Sequence, residues 1–139
     1  MATRASVKFV NNENQTLVNV HKHWDGYPEA FGQQILDIIS GGEITNGIKG
    51  TGFPNGSTCG APQFGGSFNG FSCLVASFIS LMKDKVGDVY IEPESSFGEM
   101  GENYLYTVKQ QQDGLVKVSV RNYHGDIVDL KELLERVVN

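Results

Sequence analysis

The chain reads as an α+β protein: an antiparallel sheet of about five strands with helices on one face, in the order ββα-loop-αβββα. Three observations predict this. Segments near both ends alternate apolar and polar residues as half-buried hairpins do, two internal segments carry helical stripes, and no βαβ unit repeats. No internal repeat or linker divides the 139 residues, so a single domain over 1–139 is expected.

Ala5–Val10 and Leu17–His21 alternate and are joined across Asn11–Gln15, which predicts the first hairpin. A helix is expected from Pro28, a residue suited to a first helical position, to the stop at Gly41-Gly42, with Phe31, Ile35, Ile38 and Ile39 on its apolar face. A second helix is expected from Phe71 to Val86, with Asn69 as cap and Gly87 as stop. Its stripe is Phe71, Leu74, Val75, Phe78 and Met82. Strands follow at Asp88–Glu92, Asn103–Gln110 and Leu115–Arg121. A three-residue loop through Gly114 sets Val118 opposite Val108 and Val120 opposite Tyr106, the register that yields one apolar face. Leu130–Val138 closes the chain as a helix, with Asp129 and Glu132 spaced as a capping box.

Between the first two helices the pattern is lost. Ten of the 17 glycines fall in Gly41–Gly70, where only Glu43 and Lys49 carry charge. A long loop is expected there, serving as a ligand cover or as a contact for a second copy of the chain, with a disordered insertion as the alternative. The net charge of −5 argues against nucleic acid as a partner, and no apolar run is long enough to cross a membrane. The first 20 residues lack a signal peptide's apolar core, which points to a soluble, cytoplasmic protein. Two cysteines, Cys59 and Cys73, are too few for a disulfide framework or a thiolate metal site. Gly42–Lys49 fails as a phosphate loop because its lysine comes one residue late, and Gly56–Gly60 fails as a nucleophile elbow. No cofactor is expected. The six carboxylates from Asp84 to Glu102 read as a solvated edge.

The densest chemistry lies in His21-Lys22-His23-Trp24-Asp25-Gly26-Tyr27-Pro28-Glu29. If Val7 faces Val20 and Phe9 faces Val18, the opposite face pairs Ser6 with His21 and Arg4 with His23. Arg4, His21, His23, Trp24, Asp25, Tyr27 and Glu29 are therefore the candidate ligand-binding residues, and no catalytic or metal residue is assigned among them. Met1-Ala2-Thr3-Arg4-Ala5 together with His23–Glu29 resembles a family of small uncharacterised microbial and phage proteins. Its members open Met-Gly-Thr-Arg-Ser and carry Tyr-Arg-His-Trp-Asp-Gly-Tyr-Pro-Glu-Gly after a hairpin. The likeness covers about the first 40 residues, and the chain departs from it at Ala2, Ala5, His21 and Ala30. It implies a phage-like or microbial intracellular setting and a shared use for Arg4 and His23–Glu29, with no assigned activity.

Three functions fit these residues. One is a protein that binds a small anionic or nucleotide-like ligand on Arg4 and His23, with Trp24 or Tyr27 stacking and the glycine-rich loop closing over it. Another is a metal-dependent hydrolase using His21, His23 and Asp25 or Glu29. The third is a self-associating structural or regulatory protein. A purely structural corner, with Arg4 paired to Asp25, competes with all three.

Overall fold

The computed structural model describes residues 2–45 and 67–138, with side chains through 135. In chain order its elements are β1 (Ala5–Val10), β2 (Thr16–Lys22), a π-helical turn (Pro28–Gly32) running into α1 (Gln33–Ser40), β3 (Glu43–Thr45), β4 (Ser67–Asn69) and α2 (Phe71–Met82). There follow β5 (Val89–Glu92), a 3₁₀ turn (Glu94–Ser96), β6 (Tyr104–Gln110), β7 (Val116–Arg121), β8 (Ile127–Asp129) and α3 (Leu130–Val138). They form two compact units, Met1–Gln33 with Lys85–Asn139, and Gln34–Asp84.

The first unit is a six-stranded sheet ordered β5-β2-β1-β6-β7-β8. Both expected registers are present. Ser6 faces His21, Val7 faces Val20 and Phe9 faces Val18, while Val118 faces Val108 and Val120 faces Tyr106. The second hairpin closes through Gly114 at φ 91°, a left-handed position that glycine adopts without penalty. Two features differ from the expected sheet. Its central pair, β1 and β6, is parallel, because the two hairpins join through their first strands and those strands run the same way. The extra strand, β8, is three residues long, too short to show alternation, and folds back through a turn in which Asn122 Oδ1 accepts the His124 and Asp126 N–H groups.

One sheet face is apolar. Val7, Phe9, Val20, Tyr106, Val108, Val118 and Val120 are all buried. The π-helical turn and α3 cover this face: a Cβ on Gly32 would come within 3.0 Å of Leu130 Cδ1 and 3.3 Å of the Tyr106 ring. Phe31 meets Tyr106 edge-on at 5.4 Å between centroids, and each such buried side chain contributes roughly 1.5–3 kcal/mol. The Tyr106 hydroxyl donates to the Gly26 carbonyl at 2.7 Å, which ties the loop after β2 to the centre of the sheet. Asp129 caps α3 as expected, its Oδ2 accepting the Glu132 N–H at 3.1 Å.

In the second unit the two ends of the glycine-rich stretch are strands. β3 and β4 pair in parallel, Ile44 opposite Phe68, and Phe68 is fully buried. Three-residue strands lie below the reach of periodicity, so the expectation of a continuous loop fails at both ends. Its middle, 46–66, with Cys59 and any role as ligand cover or contact between copies, lies outside the described residues. α2 starts from Gly70 at φ 87° instead of an Asn69 cap, and it ends at Met82. The residues that follow, Lys83-Asp84-Lys85, add nothing to the apolar stripe, and Val86 is exposed. Among the described residues no helix is long and apolar enough to cross a membrane.

Candidate functional site

Three anchors from distant parts of the chain fix the ends of β1 and β2. The first is Asp88, which enters β5 at φ 67° with the Val89 N–H reaching back to the Gly87 carbonyl at 2.7 Å, a tight and strained γ-turn. Its carbonyl accepts the His23 N–H at 2.8 Å and its Oδ1 accepts the Trp24 N–H at 2.9 Å. The Lys22 ammonium, on the apolar side of β2, pairs with Oδ2. Burial opposes ionisation of Asp88, but the Lys22 hydrogen bond, the Trp24 N–H and the nearby Lys22 and Lys85 charges hold its carboxyl below the usual value.

Asn103 is the second anchor. Its Oδ1 accepts the Arg4 N–H at 3.1 Å, and its own N–H donates to the Arg4 carbonyl at 2.8 Å. The backbone of Arg4 is thus held on both sides while its side chain stays exposed. The guanidinium lies beside Gly101, whose φ is 71° and where a Cβ would sit 3.6 Å from Nη1. Among the described residues it forms no ion pair and no side-chain hydrogen bond.

Glu102, the third anchor, acts through side chains. Its Oε2 accepts the Ser6 hydroxyl at 2.8 Å and the Gly98 N–H at 2.9 Å, and Oε1 accepts the Met100 N–H at 2.7 Å. Burial raises its pKa, but these donors outweigh burial and the carboxyl stays below its ordinary value. Ser6 Oγ lies 3.2 Å from His21 Nδ1, so a hydrogen-bonded chain runs His21–Ser6–Glu102 beneath the second face of the sheet. Ser6 is fully buried and His21 is 4% exposed. Burial pushes the His21 imidazole down from its ordinary value, Glu102 opposes that, and His23, Glu92 and Arg4 act on it in turn.

The structure divides the seven candidate residues. His21 and His23 come together, their ring centroids 6.3 Å apart, and Arg4 and His23 both act on the charge of His21, while the strand register itself ends at Ala5 and Lys22, short of the expected Arg4–His23 pair. Trp24 joins them at the rim, half exposed and edge-on to His23 at 4.9 Å. Asp25, at φ 57°, and Tyr27 are exposed on the following loop, and Asp25 is not among the charges acting on His21. Glu29 belongs to the other side of the sheet, where it raises the pKa of Tyr104 and Tyr106 after burial. Among the described residues no three of His, Cys, Asp or Glu come together as metal ligands, and His21 Nδ1 is already engaged by Ser6.

Gly26 explains the shape of this loop. A Cβ there would lie 2.7 Å from Ala5 Cβ and 2.9 Å from the Thr3 carbonyl, which accepts the Gly26 N–H at 2.9 Å. Only glycine lets the chain cross β1 this closely. Alternation along the strands places Ser6 beside His21 without giving it a role, and the acidic stretch makes Asp88 and Glu102 look like a solvated edge. Both carboxylates are structural anchors of the site, and only their left-handed or buried backbone settings, invisible in the sequence, reveal it. No family model, curated protein or solved structure matches the chain.

Proposed function

We propose that this protein binds a small anionic ligand, simple or nucleotide-like, on the surface formed by Arg4, His21 and His23. The observation that carries this reading is the Arg4 guanidinium: its backbone is fixed by Asn103, its side chain is exposed, and among the described residues it has no carboxylate partner. A guanidinium remains charged at any physiological pH and presents a fork of donors suited to carboxylate or phosphate. His23 lies 6.3 Å from His21 between ring centroids, and Trp24 offers a half-exposed ring at the rim for a base or other flat group. Of the two carboxylates that act on His21 among the described residues, Glu92 lacks the donors that hold Glu102, so Glu92→Gln is expected to tighten binding.

The test is titration of the purified chain with phosphate, sulfate and a nucleotide panel, followed by heat and by thermal shift. Binding that is lost in Arg4→Ala supports the reading. No binding of any anion to the native chain refutes it.

A further inference from the structure

The hydrogen bonds inside the site determine what kind of anion it can hold. Glu102 is ionised and already takes three hydrogen bonds, so it can only accept. Ser6 therefore gives its single proton to Glu102, and its oxygen must accept at the other contact. That leaves one arrangement for a neutral His21: the proton sits on Nδ1 and points at Ser6, and Nε2 is a bare lone pair. Among the described residues nothing donates to Nε2. His21 keeps 4% of its surface exposed, and the one sealed side-chain polar atom without a partner among those residues is Asn19 Oδ1. Asn19 lies two residues from His21 on the same face of β2, and its unmet atom is also an acceptor. This surface thus offers a cation for charge and, beside it, an acceptor that still needs a donor.

We propose that the site selects oxyanions that carry their own hydroxyl, of which monohydrogen phosphate is the simplest, with the ligand's O–H donated to His21 Nε2. Ser6 and Glu102 are positioning residues in this scheme, acting through His21 and touching no ligand. The proposal rests on the anion-binding reading and adds selectivity to it. An anion without a proton would set its lone pairs against that of Nε2, or force His21 to take up a proton against its burial and against Arg4. A site built to receive a hydroxyl rejects the analogue that lacks one, because its own buried polar group is left unpaired.

Phosphate and sulfate make the comparison directly. At pH 7.5 both are tetrahedral dianions of similar size, and only phosphate keeps a proton. Calorimetric titration of the full chain at matched ionic strength is expected to show phosphate binding about tenfold tighter than sulfate, or more. Ser6→Ala releases the imidazole to the other tautomer, and the preference should shrink to about threefold or less while Arg4 still holds both anions. His21→Leu removes the acceptor and should have the same effect, which keeps the test open if Ser6→Ala does not fold by thermal melt. Equal binding of the two anions by the native chain, lost in Arg4→Ala, overturns the selectivity and leaves the anion site standing. A preference that persists in the folded variants overturns it too. Failure of both anions to bind overturns the anion site itself, and the selectivity with it.

Discussion

The strands β1 and β2 present two surfaces built from alternate residues of the same short ribbon, and the surfaces do opposite things. On one, Val7, Phe9 and Val20 are buried alongside Tyr106, against which Phe31 packs, the ordinary means by which a sheet gains its stability. On the other, Ser6, Asn19 and His21 are as thoroughly buried, yet what they bury is polar. A buried hydrogen-bonded network adds little net stability and is costly when broken, so a fold has no need of one for packing alone. One pleat of the sheet thus separates a surface that holds the fold from a surface that holds a side chain in one protonation state.

The largest expected effect lies on the apolar side. Lys22→Ala leaves the buried Asp88 carboxylate with only the exposed Lys85 ammonium at 4.0 Å, and stability should fall by about 3 kcal/mol in urea denaturation. A loss under about 1 kcal/mol would show that the pair behaves as a surface one. Gly26→Ala comes next, at about 1–3 kcal/mol, because the added methyl must displace Ala5 or the Thr3 carbonyl. As that loop carries Trp24, the same variant should also weaken nucleotide binding. Tyr106→Phe removes the donor to the Gly26 carbonyl and is expected to cost about 1 kcal/mol, read from the thermal midpoint.

The polar face should show itself most gently, as a slope in pH. His21 lies below its ordinary value of 6.5 in the folded chain, so the unfolded chain takes the proton more readily and stability falls as pH drops through that value. Asp88 and Glu102, ordinarily 3.8 and 4.5, are lowered as well, and what they contribute is present above those values and lost beneath them. All three groups act in one direction. Stability against pH should decline in two stages toward acid, the first of them absent in His21→Leu. A flat profile between about pH 7 and 5.5 would contradict the buried, neutral state of His21.

Much of this is legible in the chain itself, for reasons that individual residues make plain. Alternation in β1 and β2 fixes which residues face each other, so the meeting of Ser6 and His21 on one face follows from local pattern. The same rule yields the second hairpin, with Gly114 at its turn. What local pattern does not reach is distance along the chain. Asp88 is 66 residues from Lys22 and Glu102 is 96 from Ser6, and a carboxylate in an acidic stretch looks the same whether it is solvated or buried. Glu29 misleads for the opposite reason: it is close to His23 in sequence, and the turn through Gly26 carries it to the other side of the sheet.

The site turns on one proton. Long-range ¹H–¹⁵N correlation spectra of the imidazole nitrogens at pH 7.5 report directly which nitrogen of His21 bears it. A neutral ring protonated at Nδ1, reverting to a mixture of tautomers in Ser6→Ala, is the result predicted. A proton on Nε2, or on both nitrogens, would mean that Ser6 and Glu102 do not hold the site open for a donor.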